Sequence, residues 1–234
     1  MGVTEARVLL AGASGLVGGL VLRELLRDSS FQGRVIAPTR RGLPIKDSRL
    51  QAPIVDFGSP ESNQLIQQAI NQFADGKIDA YVCCLGSTIK AAGSREAFIT
   101  IDRELVLQIA QLARGAAASH AILVSSAGAS RQSGNFYLRI KGEVEDAMER
   151  QGFQRLDLLQ PGLLLGARER RRPAEALFQR LAPLVNVAMA GRLRPYRAIP
   201  ADSLARAIVR LLAMQDAGVF SHTYDAIRDL DPAV

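Results

Sequence analysis

Val8-Leu9-Leu10-Ala11-Gly12-Ala13-Ser14-Gly15-Leu16-Val17-Gly18 is the stretch from which the rest of the chain can be read. Four apolar residues form a strand-like run, a glycine turn follows, and the apolar spacing then changes to that of a helix. Glycine is required where a backbone turns tightly, where it must approach a pyrophosphate, and where helix and strand pack closely; the helix N-terminus favours the anionic phosphates. A bare Gly-x-x-Gly-x-x-Gly spacing is weak evidence. Its position after the first strand and at the opening of a helix makes it specific. Gly12, Ser14, Gly15, Leu16, Val17 and Gly18 are therefore expected to hold a dinucleotide.

Beyond this stretch, short apolar runs alternate with helix-length amphipathic segments, the rhythm of parallel βα units. Strands are expected at Arg7 to Ala11, Arg34 to Pro38, Ile54 to Phe57, Ile78 to Leu85, Ala121 to Ser125 and Leu156 to Gln160. Helices are expected at Leu16 to Arg27, Ser62 to Phe73, Arg95 to Arg114 and Tyr137 to Gln151. Right-handed crossovers then give an α/β, Rossmann-type doubly wound parallel sheet. After Gly162 the pattern turns Arg-rich and Pro-punctuated. The reading is one domain over 1–234, with a small C-terminal substrate region at about 163–200. A helix capped by Asp202 and running to Met214, then a strand near His222 to Ala226, complete it.

With 48% hydrophobic and 22% charged residues in 234, the chain has material for a core, and its mean hydropathy is +0.08. No apolar run approaches the roughly 18 residues of a membrane span. The start, Met1-Gly2-Val3-Thr4-Glu5-Ala6, enters a strand pattern without a cleavable leader, and Ala6 spoils a myristoylation signal. Adjacent Cys83 and Cys84 form no disulfide framework and read as small core side chains rather than a redox pair. A cytoplasmic protein is expected. The 29 basic residues against 23 acidic ones leave +6 and a pI near 9.8. The arginines are scattered except at Arg168 to Arg172, and the chain is 5% aromatic with no Trp. That favours a solvated basic surface over a nucleic-acid footprint; the Arg168 to Arg172 run reads either as a solvated loop or as a grip on an anionic substrate.

Cofactor choice is read where the second strand ends, in Pro38-Thr39-Arg40-Arg41. An acid there would hold the ribose hydroxyls of NAD, whereas a guanidinium suits the extra phosphate of NADP. No acid is present, so Arg40 and Arg41 point to NADPH over NADH. Chemistry is read from Tyr137-Leu138-Arg139-Ile140-Lys141, with Ser125-Ser126 closing the strand before it. Four residues apart on a helix, Tyr137 and Lys141 share a face, and an ammonium beside a phenol stabilises its phenolate. Ser126 or Ser125 would hold a carbonyl oxygen.

These residues together resemble the short-chain dehydrogenase/reductase superfamily, and in detail its atypical branch of Tat-interacting-protein-like oxidoreductases. Cys84-Leu85-Gly86-Ser87-Thr88, Ile101-Asp102-Arg103, Ser125-Ser126-Ala127-Gly128-Ala129 through Tyr137, Lys141, Gly142 and Glu143, then Pro161-Gly162 and the Arg172, Glu175 region carry the likeness over nearly the whole chain. The resemblance implies an NADP-binding Rossmann domain with Ser126, Tyr137 and Lys141 catalytic. It adds Asp56, Leu85, Gly86, Ser125, Pro161 and Gly162 to the cofactor contacts, together with Tyr137 and Lys141, whose ammonium would also orient the cofactor's ribose. Asp56 reads equally as a turn residue. Two positions depart from the wider pattern: Asp102 stands where the superfamily has an Asn on the helix after strand four, and Gln160 where many relatives have Arg. His120 and His222 have no ligand-spaced neighbours in sequence, and no metal site is expected.

Two function classes follow. One is an NADP-dependent oxidoreductase acting on a small-molecule carbonyl or alcohol; the other is a non-catalytic NADP(H)-sensing or protein-binding module on the same fold. The sequence leaves a homo-oligomer open.

Overall fold

The computed structural model describes residues 5–166, 189, 191–231 and 233. The Arg168 to Arg172 run, Glu175 and much of the expected substrate region lie outside the described residues. Seven strands form the main sheet: β1 Arg7–Ala11, β2 Arg34–Ile36, β3 Leu50–Gln51, β4 Ala80–Cys83, β5 His120–Val124, β6 Arg155–Leu159 and, after two short strands, β9 Gly218–His222. Their spatial order is β3-β2-β1-β4-β5-β6-β9, and every pairing is parallel. The two short strands, β7 Leu164–Leu165 and β8 Ile199–Pro200, pair with each other. Among the described residues the α-helices are α1 Leu16–Arg27, α2 Ser62–Phe73, α3 Ile89–Ala92, α4 Arg95–Ile99, α5 Leu105–Gly115, α6 Phe136–Glu149, α7 Ala201–Leu211 and α8 Tyr224–Leu230.

Side chains alternate across a strand, so β1 supplies both faces of the sheet. Val8 and Leu10 join the core beneath α1, α7 and α8, while Leu9 and Ala11 join the core beneath α2, α5 and α6. Val8, Leu9 and Leu10 are each 0% exposed, and burying such a side chain contributes about 1.5–3 kcal/mol. Chain order reverses between β1 and β4, where Ala11 stands opposite Cys83. The loops leaving these two strands therefore part and open a crevice at the C-terminal edge.

Several boundaries differ from the sequence reading. The third strand is Leu50–Gln51 rather than Ile54 to Phe57: Pro53 has no N–H to donate, so the edge ladder is interrupted and resumes only as a Thr39–Ile54 bridge. The helix expected over Arg95 to Arg114 is split by a π-helical turn, Thr100–Glu104. Pro200, not Asp202, is the residue at the N-cap of α7; Asp202 sits in the first turn and pairs with Arg206 at 3.3 Å. The last strand ends at His222, where a strand was expected to begin, because Gly218–His222 pairs with the whole length of β6; Tyr224 then opens a helix.

Candidate active site

The glycine turn lies at the crevice. Gly12 has φ +88°, and a Cβ there would stand 2.7 Å from the carbonyl of Cys84. A Cβ on Gly18 would collide with the Gly12 carbonyl oxygen. Gly15 is different: it is exposed, and a Cβ would meet only the Gly12 oxygen, at 3.2 Å. It is the N-cap of α1 without a side-chain cap, and the first helical bond is Gly19 N–H to Gly15 O at 2.9 Å. Among the described residues the amides of Leu16, Val17 and Gly18 find no acceptor. Uncapped amides at a helix N-terminus, with glycines removing side chains in front of them, fit a dinucleotide pyrophosphate.

Leu85 and Gly86 leave β4 as the facing wall. The Cβ position of Gly86 is 3.9 Å from both Asp102 Oδ1 and Lys141 Nζ. Those two groups form an ion pair at 2.9 Å, with Asp102 0% and Lys141 4% exposed. The second oxygen of Asp102 accepts the Ser87 N–H at 2.9 Å and the Ser87 hydroxyl at 2.7 Å. Burial works against the Lys141 ammonium, yet Asp102 foremost, with Tyr137 and Cys83, outweighs it and raises the lysine above its ordinary value. Tyr137 is half-buried and its ring packs on Phe98 at 5.6 Å. Asn135 caps α6, its side-chain oxygen accepting the Leu138 N–H, so Tyr137 lies in the first turn and Lys141 one turn on.

One turn further along α6, Glu145 is buried and accepts Gln160 Nε2 on both oxygens at 3.0 Å. Burial pushes the Glu145 carboxyl up, against the opposing hydrogen bonds from Gln160. This gives Gln160 a task that an Arg would perform with a charge. Ser125 is buried and Ser126 half-buried at the end of β5. The Ala127 N–H donates to Pro161 O at 2.9 Å, which ties the serine loop to Pro161-Gly162. A Cβ on Gly162 would strike the Tyr196 carbonyl, and Gly128, at φ +79°, lies against the Tyr196 phenol. Tyr196 was not singled out in the sequence, since nothing local to it marks the contact.

Arg40 and Arg41 are exposed just past β2. Neither has a side-chain partner among the described residues. Asp56 Oδ1 accepts the Gly58 N–H at 3.0 Å, a turn contact, and its other oxygen has no partner among the described residues. Cys83 and Cys84 pack into the two opposite cores, and burial pushes both thiols up. The histidines, isolated in sequence, meet in space: His120 and His222 contact the two oxygens of Asp157 at 2.7 Å each, and Arg155 bonds both oxygens at 2.6 and 2.8 Å. This cluster joins β5, β6 and β9.

No family model matches the chain. It is similar over most of its length to curated proteins: 36% identical over 204 residues, 87% of this chain and 86% of the other, to "Protein fmp52, mitochondrial" of Aspergillus clavatus. It is 32% identical over 216 residues, 90% of this chain and 83% of the other, to "Protein HTATIP2" of Rattus norvegicus. Among solved structures, the Bordetella bronchiseptica enzyme WbmH in complex with NAD+ superposes with a TM-score of 0.67 at 18% identity, covering 97% of this chain and 79% of that one. A short chain dehydrogenase family protein of Francisella tularensis superposes with 0.62 at 15%, covering 93% and 96%. The fold is thus that of NAD-binding Rossmann proteins. The expectation of a cytoplasmic protein is corrected by the fungal relatives, which are named mitochondrial. Identity above 30% across more than four fifths of both chains agrees with what Tyr137 and Lys141 announced: the chain belongs to the atypical short-chain dehydrogenase/reductase family of HTATIP2 and fmp52.

Proposed function

We propose that the chain is an NADP-dependent oxidoreductase that interconverts a carbonyl and an alcohol in a small molecule. Bound NADPH supplies the hydride. The uncapped amides of Leu16, Val17 and Gly18 and the side-chain-free Gly12 and Gly15 receive the pyrophosphate, with Ser14 beside them. Arg40 and Arg41 receive the additional phosphate, Asp56 the adenine end, and Leu85, Gly86, Pro161 and Gly162 line the nicotinamide end. Ser126, with Ser125 behind it, donates a hydrogen bond to the carbonyl oxygen. Tyr137 donates the proton, and the Lys141 ammonium stabilises the phenolate left behind. The region at about 163–200 completes the substrate side of a single domain.

The observation that carries this reading is the buried Lys141 ammonium one turn from Tyr137 and 2.9 Å from Asp102. A protein that only sensed a nucleotide would have no physical need of a charged lysine stationed behind a phenol. The test is NADPH oxidation across aldehydes, ketones and quinones. Turnover that disappears in Tyr137→Phe supports the proposal; NADPH binding without turnover on any of them assigns the chain to the sensing class instead.

A further inference from the structure

We propose that Asp102 is a positioning residue that keeps the Lys141 side chain charged and aimed at the crevice, a task separate from that of the Asn found here in the wider superfamily. The inference rests on the reading that Tyr137 and Lys141 act on the reactants. An Asn offers an amide that both donates and accepts. Asp102 is a fully buried carboxylate that pairs with the Lys141 ammonium at 2.9 Å through one oxygen and accepts the Ser87 N–H and hydroxyl on the other. Ser87 therefore pins the carboxylate so that its free edge faces the ammonium.

The backbone is arranged around this contact. Asp102 is the buried residue of the π-helical turn that interrupts the segment between α4 and α5, and wide turns of this kind occur frequently at functional sites. A Cβ at Gly86 would stand 3.9 Å from both Asp102 Oδ1 and Lys141 Nζ, so the buried pair lies directly behind the backbone of the facing wall. The groups around Lys141 are Asp102 from the π turn, Cys83 from β4, and Tyr137 and Glu145 from α6 itself. Of these, Asp102 exerts the largest pull toward the charged lysine, opposing a burial that favours the neutral amine. Without it, a lysine this deeply buried would lose its proton at lower pH and could not answer the phenolate's charge.

The chain has four lysines, at 46, 77, 90 and 141. The full chain labelled with 15N-lysine therefore gives four side-chain signals, and Lys141→Met assigns the buried one. Wild-type Lys141 is expected to titrate above an ordinary lysine. Asp102→Asn should lower its midpoint by about 1–3 pH units, the range an opposite charge at this distance produces, while Asp102→Glu restores it. Ser87→Ala, which retains the charge pair, should move it far less. In Asp102→Asn the NADPH affinity should fall over the pH range in which Lys141 now titrates, and Asp102→Asn should add nothing to the loss already caused by Lys141→Met.

An unmoved Lys141 midpoint in folded Asp102→Asn overturns the proposal. So does a wild-type Lys141 that titrates at or below the ordinary value, a measurement that stands even where the Asn variant does not fold. None of these readouts needs turnover. Failure of every carbonyl in the substrate screen would remove the reductase reading while leaving the Asp102 result to be judged separately.

Discussion

Gly15→Val and Gly18→Ala lie three residues apart in one turn and are expected to fail in opposite ways. Gly15 has φ −87° and ψ 175°, extended backbone open to any residue. Its Cβ would meet a single atom at 3.2 Å, so the neighbour gives by a few tenths of an ångström. Glycine contributes no side-chain cap here, and exchanging it for a poor capping residue costs about 1 kcal/mol or less. The isopropyl group, however, would stand in front of the uncapped amides of Leu16, Val17 and Gly18. If a pyrophosphate makes at least two charge-assisted bonds there, each worth about 1.5–3 kcal/mol, their loss weakens NADPH binding roughly 10²- to 10⁴-fold.

Gly18→Ala adds one methyl group, yet it drives a Cβ into the carbonyl group of Gly12, whose carbon lies at 2.7 Å. Backbone cannot yield as a flexible side chain does, so α1 must lift from the turn, and the packing of Val17 and Val21 goes with it. A stability loss of about 2 kcal/mol or more is expected. Urea unfolding paired with NADPH calorimetry separates the two cases. A folded Gly15→Val that binds NADPH like wild type, or a Gly18→Ala that unfolds at the wild-type midpoint, would refute the reasoning.

Tyr137→Phe retains the ring that packs on Phe98, so NADPH affinity should be nearly unchanged while single-turnover oxidation falls about 10²- to 10⁴-fold; a near-wild-type rate contradicts the assigned mechanism. Arg40→Ala should erase a preference for NADPH over NADH, measured by nucleotide fluorescence titration, and equal wild-type affinities would count against the phosphate site. Asp157→Ala leaves His120, His222 and Arg155 without their shared acceptor and should cost about 3–5 kcal/mol in urea unfolding. Burial pushes the Asp157 carboxyl up, but hydrogen bonds from His120, His222 and Arg155 outweigh it and hold the group well below its ordinary 3.8. A depressed carboxyl stabilises fully above that ordinary value and loses its contribution as pH falls below it. The gap between wild type and Asp157→Ala should therefore be full above about pH 4 and shrink toward lower pH; a gap independent of pH would dissociate the cost from the charge.

Local patterns made β1, α1 and α2 readable to the residue, because each has a clean period and a clear boundary: Gly12 and Gly15 before α1, and a C-terminal break after Arg27 and Phe73. The juxtaposition of Tyr137 and Lys141 was equally legible. Tyr137 and Lys141 sit on one helix, and helical spacing alone places them together. The edge of the sheet was not, because whether Leu50–Gln51 or Ile54 pairs depends on which N–H groups meet the neighbouring strand, and Pro53 removes one of them.

Glycine spacing, strand alternation and the Tyr-Lys interval are short-range facts, and they were enough to establish the Rossmann rhythm, to put a glycine turn at the head of α1 and to set Tyr137 and Lys141 one turn apart on α6. The Asp102–Lys141 pair, the clamp of Gln160 on Glu145, and the meeting of His120 and His222 at Asp157 join residues that are 39, 15, 37 and 65 positions apart. Their geometry follows from parallel register and from the π turn that carries Asp102 into the interior. A register is settled by how whole strands bury both faces at once, so no local window of residues contains it.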